Sequence, residues 1–475
     1  MANPAATSPL DPGRPRPDRR RTGRRAGALI AAVAGLAVLG VGFSRSATGL
    51  AGPSPEDLAW GSAGAPIPAP SSVPGSPVRP TSGSSSGPGG STRPASPSPR
   101  PGGSSGPQLS PGPAPVEVRL QATLDRVRAK LGIPGVSATI LFPNGTSWTG
   151  ASGLAVVATK TKVLPDTAFA FASVSKTFTS ALIVQLADEG RLRLSDPAAG
   201  LLPPLRLAID RRITVGMLLN HTSGLADYFL NPKIDAPLQA RPNDAWTIDR
   251  TLRYVGKRLA PPGTAWHYSN TNYLLLGLIA ERLTGQSLAE AIRTRLLDPT
   301  SLAATWYEGA EPPRAGLAHG YRQPGTKVNV RPIDLDDGSG VAPFRSVISA
   351  AAGAGSIAGT SGDLAQWGRA LYTGRVLGPA GTAQLLSGFT KTTNYLDGVV
   401  YGYGVQAFTI DGHPSLGHSG RLLGFRSALR HFPLDGLTIA VLTNQSRSDP
   451  GLVVRALLGE ALIRDAGCAA CPQAR

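Results

Sequence analysis

Cysteine is almost missing from this chain: Cys468 and Cys471 are the only two, both in the last eight residues. Two thiols are too few for a cysteine-rich metal site. Without a βαβ setting around them, a redox motif is also excluded. In an exported chain they could close a small disulfide loop. Acid is scarce too, with 30 Asp and Glu against 47 Lys and Arg, a net charge of +17. That surplus is scattered, and no Lys/Arg run is interleaved with aromatics. A nucleic-acid partner is therefore not expected, while anionic polymers or lipids outside the cell fit better. No internal repeat and no G-x-S-x-G elbow occur, and the second absence argues against an α/β-hydrolase.

What is present divides by composition. Residues 1–25 carry seven arginines against Asp11 and Asp18. The uncharged run "AGALIAAVAGLAVLGVGF" opens the segment 26–44 and is about long enough to cross a bilayer as a helix. The arginines ahead of it would stay in the cytoplasm, so the chain beyond is exported. The run reads as an uncleaved signal-anchor, or as a signal peptide cut within "SATGLAG". No cysteine lies near it, which speaks against a lipid anchor. Residues 45–115 are Gly-, Ser- and Pro-rich with few bulky side chains, an extended tether that cannot offset its ordering entropy. Residues 116–467 carry apolar periodicity, and 468–475 form a tail. The expected location is the cell membrane, single-pass with the large domain outside, or secreted if the segment is cut.

Within 116–467, "VEVRLQATLDRVRAKLG" spaces Val118, Leu120, Leu124, Val127 and Leu131 as an amphipathic helix ended by Gly132. "VSATILF" and "TSWTGASG" flank "PNG" as a hairpin, and "FRSALRHF" and "GLTIAVLTN" flank "PLDG" as another. The last periodic stretch, from Gly451, reads as a helix. The order predicts an α+β fold, with an antiparallel sheet built from both chain ends, flanked by helices, and a mostly helical insertion between.

Three short stretches carry chemistry. Ser173 and Lys176 stand at i and i+3, sharing a face if helical. A desolvated lysine there loses affinity for its proton and can take the serine's. Alone, the tetrapeptide equally fits a helix-capping serine and a lysine reaching solvent. Tyr268-Ser269-Asn270 precedes a periodic helix, and His418-Ser419-Gly420 is expected at the start of a strand. Tyr268 beside a lysine can act as a base, Asn270 can hold both lysine and substrate, and Gly420 would let a substrate backbone approach a strand edge.

Taken in order and spacing, these three motifs resemble those of the serine beta-lactamase and penicillin-binding protein superfamily, in its class C beta-lactamase-related branch. "ITVGMLLNHTSGLADY", "PPGTAWHYSNTNYLLLG" and "GAGSIAGTSGDLAQW" add to the resemblance, which spans Val116 to Ile463. It implies a beta-lactamase/transpeptidase-like fold with Ser173 as acylated nucleophile. Lys176 and Tyr268 would share the acid–base work. Asn270, His418, Ser419, Gly420 and Arg421 would bind substrate. His418 would hydrogen-bond Tyr268, and the N–H groups of Ser173 and Arg421 would form the oxyanion hole. Ser175 and His221 would be structural. No metal or cofactor is implied. The expected activity is release of D-Ala from cell-wall peptides ending in D-Ala-D-Ala, with the Ser419 hydroxyl and the Arg421 charge holding the terminal carboxylate. Ester or D-amino-acid amide hydrolysis, or beta-lactamase activity, is the alternative, and a non-catalytic penicillin-binding sensor ranks below both.

Overall fold

Leu120 and Leu124 recur at helical spacing and are fully buried on α1 (Val116–Leu131), whose last turn closes on Gly132 at φ +63. Only a residue at ease with positive φ reverses the chain there. The computed structural model describes residues 114–323, 331–396 and 398–466. The basic segment, the apolar run, all of the tether up to residue 113 and the tail with both cysteines lie outside the described residues. No helix among the described residues is long and apolar enough to cross a membrane.

The expected first hairpin is β1 (Gly135–Leu141) and β2 (Ser147–Val156). Helices α2 (Lys176–Asp188), α3 (Asn270–Thr284) and α4 (Ser361–Tyr372) follow, with shorter helices between them. The chain returns as β3 (Gln406–Ile410), β4 (His413–Leu422), β5 (Phe425–Phe432) and β6 (Leu437–Thr443), then ends in α5 (Gly451–Ala466). β1 pairs with β6 from Val136↔Thr443 to Leu141↔Thr438, so both chain ends meet in mid-sheet. The nine-stranded antiparallel order runs Thr161–Lys162, β2, β1, β6, β5, β4, β3, Val400–Tyr401, Thr390–Lys391.

Both faces of the sheet are covered, which is why β1 and β6 are buried almost throughout. Val136, Ala138, Ile140, Ile439 and Val441 pack with Val453, Val454 and Leu457 of α5 and with α1. The alternate residues face α2, α3 and α4, where the larger core lies. There Phe178 stacks on Trp367 at 3.9 Å, and Trp367 Nε1 donates to Thr177 Oγ1 at 2.9 Å. These contacts fix α2, the helix that carries Lys176.

One buried acid sets a pH dependence. Glu308 is 2% exposed, and its Oε1 accepts from the Ala342 N–H. Its Oε2 is buried without a hydrogen-bond partner. Burial pushes its pKa from 4.5 to about 8. The folded state thus holds this proton more tightly than the unfolded chain. Its stability is fully present below the unfolded value and declines as pH rises toward 8. Glu308→Gln is expected to leave the melting temperature nearly unchanged at about pH 5 and to raise it by several degrees at about pH 8. A thermal melt at both pH values checks this; equal shifts at the two would contradict it.

Candidate active site

Ser173 sits half-buried on the 3-10 turn Ala172–Ser175, which feeds directly into α2 at Lys176. Ala172, just before it, holds φ +49, a strained value for a residue with a Cβ. The turn is pinned from both sides. Phe171 N–H donates to Ile357 O at 2.8 Å, and Ser427 Oγ donates to Phe171 O at 2.7 Å. The neighbouring Ser175 Oγ accepts from Ile357 N–H at 3.1 Å.

Lys176 is fully buried, and its ammonium meets three acceptors: Ser173 Oγ at 3.0 Å, Asn270 Oδ1 at 2.7 Å and Ala354 O at 2.8 Å. The orientation of the Asn270 amide is fixed, because Nδ2 donates to Asp227 Oδ2 at 2.8 Å and a carboxylate can only accept. Asn270 Oδ1 and Ala354 O are themselves acceptors only. When Lys176 loses a proton, those two acceptors can still hold N–H groups, and the Ser173 Oγ contact can then run in the opposite sense, with the hydroxyl donating. The lysine nitrogen also lies 4.9 Å from the centre of the Tyr268 ring. The structure therefore brings Ser173, Lys176, Tyr268 and Asn270 into one cluster.

The third motif differs from expectation in three ways. His418 lies in the interior of β4, because the strand begins earlier, after a tight reversal at Asp411 (φ +49) and Gly412 (φ +91). The Asp-Gly pair signals such a hairpin. Second, the bond expected from His418 to Tyr268 goes elsewhere. His418 Nδ1 donates to Ser419 O at 2.6 Å, and Nε2 accepts from Tyr401 OH at 2.8 Å, while the Tyr268 ring centre stands 6.5 Å away. Burial, then the Lys176 charge, hold His418 far below its ordinary pKa, so it is neutral. Third, the space left by Gly420 is filled by the chain itself. A Cβ there would run into Phe171 O and Ser427 Oγ, so the glycine admits the nucleophile turn and not a substrate backbone.

Strand alternation places the remaining two residues. Ser419 pairs with Ala428 and Arg421 with Arg426, so their side chains share the face opposite His418 and Gly420. The Ser419 hydroxyl and the Arg421 charge, expected to hold the substrate's terminal carboxylate, thus both lie on the face away from His418 and Gly420. The backbone is another matter. Ser419 N–H points toward β3, donating to Gln406 Oε1 at 3.0 Å. Alternation gives Arg421 N–H the same direction, on the edge of β4 that extends past the start of β3. That is the side on which an oxyanion donor is needed.

Several residues of the site were not foreseen. Asp227 lies in "TSGLADY", where nothing local marks it as the partner of Asn270. Tyr401 and Gln406 come from a stretch with no motif. His221, expected as structural, is buried at φ +63, and its Nδ1 accepts from Ser269 N–H at 3.2 Å. Its ring lies 4.4 Å from that of Tyr268, which it supports from below. Burial, then Lys176, lower its pKa well below 6.5. Among the described residues, no group of three or more His, Cys, Asp or Glu could hold a metal. An open cleft between α1 and β2, lined by Asp125, Arg128, Ser152 and Lys162, contains none of the motif residues.

Comparison with known proteins agrees with this geometry. The Beta-lactamase family profile matches residues 120–462. Penicillin-binding protein 4 of Amycolatopsis lactamdurans is 34% identical over 334 residues, 68% of this chain and 84% of that one. The structure of a D-stereospecific amidohydrolase from Streptomyces sp. is 28% identical with a TM-score of 0.62, covering 72% of this chain and 98% of that one. D-amino acid amidase from Ochrobactrum anthropi SV3, solved with D-phenylalanine, shares the fold at 24% identity and a TM-score of 0.63, with 74% and 99% covered.

Proposed function

This chain belongs to the beta-lactamase family of serine hydrolases, and from that premise we propose that it releases D-Ala from peptides ending in D-Ala-D-Ala, through an acyl-enzyme on Ser173. The observation that carries the acyl-enzyme is the Lys176 cluster. A buried amine anchored by two permanent acceptors also meets Ser173 Oγ at 3.0 Å, within reach of the serine's proton. In the first step Oγ attacks the scissile carbonyl carbon, and its proton passes to Lys176 or Tyr268. The C–N bond then breaks, and that proton goes to the departing amine. Water, deprotonated by the same groups, releases the acid and frees Ser173. The Ser173 and Arg421 N–H groups stabilise the tetrahedral oxyanion. An open stretch of β4 beside the nucleophile suits a peptide lying along it as an added strand. The names of two relatives, one penicillin-binding and one D-stereospecific, support a D-configured substrate. We place the domain outside the cell, carried by residues 26–44 and the tether, on the strength of the arginines before the apolar run.

A second reading, hydrolysis of short esters or D-amino-acid amides, is favoured by one feature: the third motif supplies a neutral His418 where a free carboxylate would want a cation. Two measurements test the proposal. Fluorescent penicillin or a fluorophosphonate is expected to label Ser173 covalently in the folded protein, and failure of both reagents would remove the acyl-enzyme. D-Ala is expected to appear from an acyl-D-Ala-D-Ala peptide faster than alcohol from a short-chain ester. The reverse order would leave only the second reading.

A further inference from the structure

Asp227 is a carboxylate only 5% exposed, and each of its oxygens has its own donor. Oδ1 accepts from Phe229 N–H at 3.0 Å and caps the 3-10 turn Tyr228–Leu230. Oδ2 accepts from Asn270 Nδ2 at 2.8 Å, at the first residue of α3. The two segments are clamped beside that bond, where Thr271 Oγ1 donates to Ala226 O at 2.7 Å. Next to Asp227, Tyr228 OH donates to Ala350 O at 2.7 Å, in the helix Arg345–Ala351 that leads into the turn ending at Ala354. The short segment from Ala226 to Tyr228 thus braces both fixed acceptors of Lys176, Asn270 Oδ1 through the amide and Ala354 O through its helix.

Two consequences reach the lysine. The first is the direction of the amide. With Oδ1 toward Lys176, the amine gives Asn270 an N–H in either charge state. Reversed, Nδ2 would oppose an ammonium donor to donor, or would take the lone pair of a neutral amine away from Ser173. The second is charge. The Asp227 carboxylate stands two hydrogen bonds from the Lys176 nitrogen, and a buried negative charge so placed favours the ammonium. Of the other titratable groups around the lysine, His221 and His418 are neutral and burial pushes the Tyr273 phenol up. Burial pushes up Tyr228, beside Asp227, as well. Tyr268, its ring centre 4.9 Å from the nitrogen, is the proton-transfer partner itself.

We propose that Asp227 is a positioning residue for acyl transfer: through Asn270 it aims the amide oxygen at Lys176 and sets the pH at which the lysine gives up its proton. The inference rests on the acyl-enzyme at Ser173 and deepens it, naming the group that controls the charge of the lysine beside the nucleophile.

The test uses three variants of the full chain. Asp227→Asn and Asp227→Ser remove the charge but keep an oxygen able to cap the Tyr228–Leu230 turn. Asp227→Glu keeps the charge. Lys176 is titrated directly by NMR of isotope-labelled lysine, its signal assigned by its loss in Lys176→Met. Removing a nearby negative charge weakens the lysine's hold on its proton. The midpoint is therefore expected about one pH unit lower in the Asn and Ser variants, and close to wild type in the Glu variant. Fluorophosphonate labelling of Ser173, followed against pH, is expected to show a limb displaced by the same amount. Labelling at the optimum should be slower by about tenfold or more, with part of the rate regained in Asp227→Glu. A merely structural role would slow labelling equally at every pH and leave the titration in place. A Lys176 midpoint within about 0.3 pH unit of wild type in both neutral variants, or one displaced upward, overturns the proposal. If wild type is not labelled at any pH, the acyl-enzyme reading fails, and the titration alone then decides whether Asp227 governs the charge of Lys176.

Discussion

Lys176→Met is expected to slow acylation of Ser173 by about 10³-fold, within the range that positioned acid–base groups supply. Methionine fills the channel taken by the lysine stem, so packing in α2 changes little. What disappears is the nitrogen that meets Ser173 Oγ, Asn270 Oδ1 and Ala354 O. The serine then has no amine to take its proton. Asn270 Oδ1 and Ala354 O are left buried and unpaired, at a cost of about 1–3 kcal/mol each, so the melting temperature should fall as well. The chemical effect is separated from the folding effect by measuring single-turnover fluorophosphonate labelling below the variant's own melting transition. Labelling within tenfold of wild type would mean that Tyr268 suffices as base and that the lysine only shapes the site.

Gly420→Ala should be nearly as damaging, although it adds a single methyl group. The new Cβ would collide with Ser427 Oγ and Phe171 O and stand 3.1 Å from Ala172 Cβ. Phe171 O belongs to the backbone and is held by Ser427, so neither obstacle can swing away. The strand carrying Arg421 N–H and the turn carrying Ser173 must separate instead. Overpacking of this kind costs about 1–3 kcal/mol. Displacing reacting groups by about 1 Å can cost about 10²-fold in rate. Slower acylation by that factor and a lower melting temperature are therefore expected together. Gly459→Ala is the control, since nothing lies within 4 Å of its added Cβ. If Gly420→Ala labels as fast as Gly459→Ala, the nucleophile turn is not braced by β4.

The parts of this molecule legible in the sequence are those whose cause is local. Leu120 and Leu124 repeat at helical spacing, Gly132 ends their helix, and "PNG" and "PLDG" turn the two hairpins, so the elements followed from neighbours in the chain. The Ser173, Lys176, Tyr268 and Asn270 cluster was legible only through the order and spacing of the three motifs and the family they resemble, since each motif alone has an ordinary structural reading. The failures share another cause. Whether His418 bonds Tyr268 or Tyr401, and which face Arg421 takes, depends on register between strands. A shift of one residue reverses every side chain. Asp227 was invisible for the same reason, since it meets the site through a single amide, Asn270, contributed by a distant segment.

The sheet also has a history that its finished form conceals. Gly135 N–H donates to Asn444 Oδ1 across 309 positions of sequence, and β1 has β6 as its central partner. During synthesis β1 and β2 emerge first, as a two-stranded ribbon that is marginal in water without further partners. Every helix of the middle segment must follow before β6 arrives to close the layer. Such long-range pairing is slow to form and leaves strand edges open while it waits. A ribosome stalled anywhere before Thr443 holds a chain in which β1 has β2 but lacks its mid-sheet partner, so the nine-stranded layer closes only once β6 has been made.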